Sequence, residues 1–156
     1  TRRSSDLAGR GTVGAGGRVF ATKCASCHGP TGKEGPREVL VGGQGTLASD
    51  RPVKTVGSFW PYATTLYDYI SRAMPYTAPQ SLTPDEVYSV VAWLLFQNGI
   101  VAEDAALDAT TLSAVRMPNR DGFVSDPRPD VERREQGLTP TPGIPSRGLA
   151  LWLEHR

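Results

Sequence analysis

The sequence predicts an all-α fold of few helices joined by long irregular loops, with an extended C-terminal wrap. Three observations predict it. Val87, Val90, Val91, Leu94 and Leu95 recur at helical spacing behind the start signal Thr83-Pro84-Asp85-Glu86. A shorter apolar pattern leads up to Cys24. Between Gly29 and Tyr62, glycine and proline punctuate the chain every few residues, so that stretch reads mostly as loop.

Residues 1–13 are polar and glycine-rich, a flexible N-terminal segment on composition. A first helix is expected over about residues 15–24, with Val19 and Phe20 along one face. Turns follow at Gly29-Pro30, Gly35-Pro36, Gly42-Gly43-Gln44-Gly45 and Arg51-Pro52. A second helix is expected over residues 64–73, with Leu66, Tyr69 and Ile70 inward and Asp68 and Arg72 outward. The strongest helix comes next: Thr83 as N-cap, Pro84 at the first helical position and Glu86 completing a capping box. Asn98-Gly99 stops it. Residues 102–112 suit another helical turn or two, and residues 118–145 are extended, charged and proline-rich. The apolar stretch Gly148–Glu154 is suited to docking. The chain thus divides into the lead-in over 1–13, a domain over 14–125 and a proline-rich tail over 126–156.

A length of 156 residues with 38% hydrophobic content fits one domain. A net charge of +1 implies no general attraction to polyanions, so nucleic acid is not an expected partner. The best apolar window, Val87–Phe96, is too short for a membrane span and carries polar positions. Thr1-Arg2-Arg3 opens no charged-then-apolar pattern, as expected of a chain whose export signal has been removed.

The two cysteines sit in Cys24-Ala25-Ser26-Cys27-His28, the attachment signature for haem c. Two thiols one helical turn apart reach the two vinyl groups of a porphyrin and form thioethers. The adjacent imidazole is thereby brought under the iron as proximal ligand. Three other readings of the motif are weaker. A zinc site drawing on His155 lacks the paired spacing and uses the penultimate residue. A thioredoxin-like redox pair needs a preceding strand and a βαβ context that the sequence does not show. A disulfide closing so small a loop adds little stability.

Gly16-x-x-x-Phe20-x-x-x-Cys24, together with Val91-Ala92-Trp93-Leu94, resembles class I cytochromes c. The resemblance implies that an N-terminal and a C-terminal helix cross where a glycine admits an aromatic ring. It also implies that the carbonyl of Pro36, in Gly35-Pro36, accepts the Nδ1–H of His28. Over roughly residues 16–130 the chain is similar to one group of these proteins. The stretches that carry the similarity are Val41–Ala48, Pro52–Tyr62, Arg72-Ala73-Met74-Pro75, Gln80–Tyr88 and Met117–Phe123. The group is the cytochrome c subunits of molybdenum sulfane or sulfite dehydrogenases in bacterial sulfur oxidation. The likeness implies a periplasmic protein with one haem, a molybdenum-cofactor subunit as electron donor and another cytochrome c as acceptor. Some relatives carry a second haem domain, whereas this chain has one Cys-x-x-Cys-His.

Met74, Met117 and His155 are the candidates for the distal iron ligand. A thioether there raises the potential and closes the iron to small molecules. Met74 follows Ile70 with no slack and resembles the Asn-Met-Pro turn of related proteins, in which that methionine is not the ligand. Met117 lies on an extended segment free to fold back, and the reading leans to it. Trp60, Tyr62 and Arg72 are candidates for the propionates, or for packing alone. An electron carrier or relay subunit is the expected function, not catalytic alone. A peroxidase or gas sensor needs a distal acid–base residue, and nothing near the motif supplies a second histidine. An interaction module has only the proline-rich tail in its favour.

Overall fold

A computed structural model of the chain describes residues 8–124. The elements in order are β1 (Gly11–Thr12), α1 (Val13–Lys23), α2 (Ala25–His28), α3 (Ala63–Ala73), α4 (Pro84–Gln97), β2 (Ala106–Leu107) and α5 (Ala109–Ala114). The all-α expectation holds, with one small addition. β1 and β2 pair antiparallel, Gly11 opposite Leu107 and Thr12 opposite Ala106. A two-residue ladder is too short to leave an alternating pattern, so the sequence did not announce it. The sequence had put 11–13 in the lead-in; the structure gives them to β1 and the first residue of α1. Thr12 caps that helix, its hydroxyl accepting the N–H of Ala15 at 3.3 Å.

α4 is the central element. Its side chains are buried nearly all round, from Val87 to Leu95, as expected of a helix surrounded by other elements. Its start is the expected capping box: the Glu86 N–H donates to Thr83 Oγ1, and the Thr83 N–H donates to the Glu86 carboxylate at 2.9 Å. α1 crosses it at Gly16, where a Cβ would lie 1.9 Å from the carbonyl oxygen of Ser89. One turn on, Phe20 stacks on Trp93 with centroids 4.1 Å apart. Lys23 closes the same interface with an ion pair to Glu86 at 2.8 Å.

α3 also packs against α4, burying Ala63, Leu66, Tyr67 and Ile70. The inward aromatic is Tyr67, whose ring lies 4.5 Å from that of Tyr88. Tyr69, expected inward, is 48% exposed. Both tyrosines fit a helical stripe with Leu66 and Ile70; the small Ala63 at the start of the helix decides the rotation in favour of Tyr67.

The long loop between α2 and α3 is fastened to the end of α4 by Asn98. Its amide donates to the carbonyls of Leu94 at 2.9 Å and Leu40 at 3.2 Å. Its side-chain oxygen accepts the Gly42 N–H at 3.0 Å, and its backbone carbonyl accepts from Gln44 Nε2 at 2.9 Å. Beyond Asn98, Thr55 and Ser58 are buried and bonded to one another and to the backbone of residues 42 and 53. The loop is irregular, yet its buried side-chain polar atoms all have partners. The compact unit ends at Phe123. The tail over 126–156, the apolar stretch Gly148–Glu154 and His155 lie outside the described residues.

Candidate haem site

Cys24 ends α1 and starts α2. Its carbonyl accepts the N–H groups of Cys27 at 3.1 Å and His28 at 3.0 Å, so the motif is wound into one turn. That turn puts the two cysteines on one side of the helix, as residues three apart lie. Both thiols are free; Cys24 is half-buried and Cys27 exposed. Burial pushes the Cys24 thiol up to about 11, Lys23 pulling the other way and Cys27 adding to the rise.

The loop after the motif doubles back on it. The Arg37 N–H donates to the Cys27 carbonyl at 3.0 Å, and a Cβ on Gly35 would lie 2.0 Å from that same oxygen. His28 Nδ1 then meets the carbonyl oxygen of Glu38 at 3.0 Å. A carbonyl only accepts, so Nδ1 is the donor, and in the neutral ring Nε2 keeps its lone pair. The sequence had assigned this acceptor to Pro36. The structure gives the role to Glu38: Pro36 is exposed, the Arg37 N–H is bonded to the Cys27 carbonyl, and the Glu38 carbonyl is the one that faces the ring.

The two methionines differ in setting. Met74 is the C-cap of α3, in extended backbone and half-buried. Met117 follows α5 and is 1% exposed. The segment that begins with Met117 lies along residues 59–62. Asn119 Nδ2 donates to the Phe59 carbonyl at 2.7 Å, the Arg120 guanidinium sits 4.5 Å over the Tyr62 ring, and Phe123 meets Phe59 edge-on at 5.2 Å. Trp60 is half-buried and edge-on to Tyr69 at 5.7 Å. Tyr62 is exposed, beneath Arg120. Arg72 bonds Asp68 at 2.9 Å on the outer face of α3, one turn beyond Tyr69. The candidates on 60–62 and the Met117 segment are thus brought together.

Glu38, Asn98 and Asn119 escaped the sequence reading. The first acts through a backbone carbonyl, which any residue offers. The second was read only as a helix stop. For the third the signal lies in the stretch Met117–Phe123, where Asn119 is the one short side chain that can both donate and accept.

The donor set fits haem. Two free thiols share one turn, and a neighbouring imidazole has its metal-binding nitrogen free. Among the described residues no three His, Cys, Asp or Glu side chains gather to hold a bare ion.

The fold and this site define a class I c-type cytochrome. The chain belongs to the family described as cytochrome c oxidase, cbb3-type, subunit III, whose model matches residues 11–94. It is also similar to a solved structure, the sulfane dehydrogenase SoxCD from Paracoccus pantotrophus. The two share 42% identity over 86% of this chain and 67% of that one, with a TM-score of 0.76. No curated protein matches the chain. The cofactor is accordingly haem c, bound covalently, and the role is electron transfer. No helix among the described residues is long and apolar enough to cross a membrane.

Proposed function

We propose that this chain is the electron-accepting cytochrome subunit of a molybdenum dehydrogenase that oxidises a sulfur compound in the periplasm. The likeness to the sulfane dehydrogenase SoxCD, at 42% identity over 86% of the chain, carries this reading. When bound, haem c supplies the one-electron carrier. Cys24 and Cys27 would form the thioethers, and His28 would ligate the iron through Nε2, its Nδ1 held by the Glu38 carbonyl. A hydrogen bond to Nδ1 makes the imidazole a stronger donor, which favours the oxidised state. Met117 would be the distal ligand, on the returning segment that Asn119 ties to Phe59, with Met74 at the end of α3 as the alternative. Trp60, Tyr62 and Arg72 would bond the propionates or pack beside them. The cytochrome domain would run from β1 to about residue 125, with the proline-rich stretch 126–156 beyond it.

Rapid mixing tests the function. Oxidised holoprotein is combined with the purified molybdenum subunit and a sulfane or sulfite substrate, and the visible haem bands are followed. Substrate-dependent reduction within milliseconds to seconds is expected. Slow reduction by that subunit, alongside fast exchange with other small cytochromes, overturns the subunit reading in favour of a free-standing carrier.

A further inference from the structure

The turn after Met117 is organised around one side chain. Within the turn, the Arg120 N–H donates to the Met117 carbonyl at 3.1 Å and the Gly122 N–H to the Asn119 carbonyl at 3.2 Å. Gly122 leaves room for the Asn119 side chain: a Cβ there would lie 1.8 Å from Asn119 Oδ1. So oriented, Asn119 donates through Nδ2 to the Phe59 carbonyl at 2.7 Å.

The other two contacts of this segment are weaker constraints. Arg120, Tyr62 and Phe123 are all exposed, and their ring contacts tolerate sliding. A side-chain hydrogen bond at 2.7 Å does not. A slip of one residue would set Pro118 or Arg120 in place of Asn119. Proline has no donor, and the long arginine side chain cannot make the same short amide bond.

Resting on the assignment of Met117 as distal ligand, we propose that Asn119 is a positioning residue. Its bond to Phe59 sets the register at which the Met117 thioether is presented to the iron, and Gly122 is the space that bond requires. Loss of the bond lets the segment slide and raises the fraction of molecules in which the sulfur is away from the iron. A hydrogen bond of ordinary worth corresponds to a rise of about fivefold in that fraction.

The test uses holoprotein variants Asn119→Ala, Asn119→Asp, Gly122→Ala, Asp121→Asn and Met117→Ala. Two readouts apply: the methionine–iron charge-transfer band and the rate of carbon monoxide binding to the reduced form. Asn119→Asp keeps the volume but removes the donor, and Gly122→Ala attacks the same bond from the other side. Each of the two, and Asn119→Ala, is expected to keep its haem, weaken the band and speed carbon monoxide binding about fivefold. Asp121→Asn breaks only the exposed pair with Arg116 in the same turn and is expected to match wild type. If Met117→Ala loses the band while Asn119→Asp and Gly122→Ala match wild type, the positioning role is overturned and the ligand assignment stands. If Met117→Ala keeps the band, the ligand assignment and the positioning role fall together.

Discussion

Gly16 faces Ser89 at backbone contact: a Cβ on the glycine would sit 1.9 Å from the serine carbonyl oxygen and 2.8 Å from Cβ of Trp93. The obstacle is helix backbone rather than a mobile side-chain end, so α1 and α4 would have to separate. Separation would also pull Phe20 from Trp93. Gly16→Ala is therefore expected to lower stability by about 2–3 kcal/mol, at the upper end of overpacking costs. Gly14, two residues earlier and so on the other face of α1, has nothing within 4 Å of its would-be Cβ. Gly14→Ala is expected to stabilise by about 0.5–1 kcal/mol through helix propensity. Urea titration of the two holoproteins checks the opposite signs.

Asn98 is the second point of concentrated stability. Asn98→Leu keeps the volume but deprives the Leu40 carbonyl and the Gly42 N–H of their partner. A stranded buried group costs about 1–3 kcal/mol, so a loss of about 3 kcal/mol in total is expected. Asn98→Asp keeps an acceptor for Gly42 but cannot donate to Leu40 or Leu94, and should fall between wild type and Asn98→Leu. Denaturant midpoints order the three. Faster proteolysis within residues 40–58 is expected for Asn98→Leu, since the loop is fastened there.

How far these features were legible in the sequence follows from how local each signal is. The capping box at Thr83 and Glu86 and the stripe of α4 are written in neighbouring residues, and both hold in the structure. So is the Cys24–His28 turn, because its geometry follows from the spacing alone. That Gly16 and Phe20 would meet α4 was legible only through family resemblance, since their partners lie on another helix. Tyr67 against Tyr69 was ambiguous because two stripes three and four residues apart overlap. Contacts over long sequence separations were not legible at all. Nothing near Pro36 says that Glu38 will face His28, and nothing near Asn98 names Leu40. Those bonds depend on how an irregular loop closes, which no periodicity encodes.

Acid should weaken the joint between α1 and α4. The Lys23 ammonium bonded to Glu86, followed by the Thr83 N–H, holds the Glu86 carboxyl below its ordinary value of 4.5. The unfolded chain therefore takes up this proton first as the pH falls. Glu86 contributes its stability fully above that ordinary value and loses it as the pH drops through the lower, folded value. The pair is partly exposed, so Glu86→Gln is expected to cost only about 0.5–1 kcal/mol at neutral pH. Against wild type, the variant's stability should fall less between neutral pH and about pH 3, where the wild-type carboxylate is being protonated. Urea midpoints measured along a pH series for both proteins test this; parallel curves would exclude a role for Glu86 in acid sensitivity.

The distal ligand gives the sharpest contrast. For Met117 to serve, the chain after α4 must return across the site, and it has the anchors to do so. β2 pairs with β1, α5 is capped by Asp108, and residues 119–123 are fixed to residues 59–62. Met117→Ala is expected to abolish the methionine–iron charge-transfer band, lower the reduction potential and admit carbon monoxide. Truncation after Gly99 removes the whole return path and should give the same open iron, with added instability from loss of Leu107 and Leu112. Met74→Ala, at a half-buried helix end, should keep the band and cost about 1–2 kcal/mol, less than the ~2–5 of a fully buried methionine. Loss of the band in Met74→Ala with its retention in Met117→Ala would return the ligand to the end of α3. The segment after α5 would then be a cover held on residues 59–62, and its burial of Met117 a matter of packing.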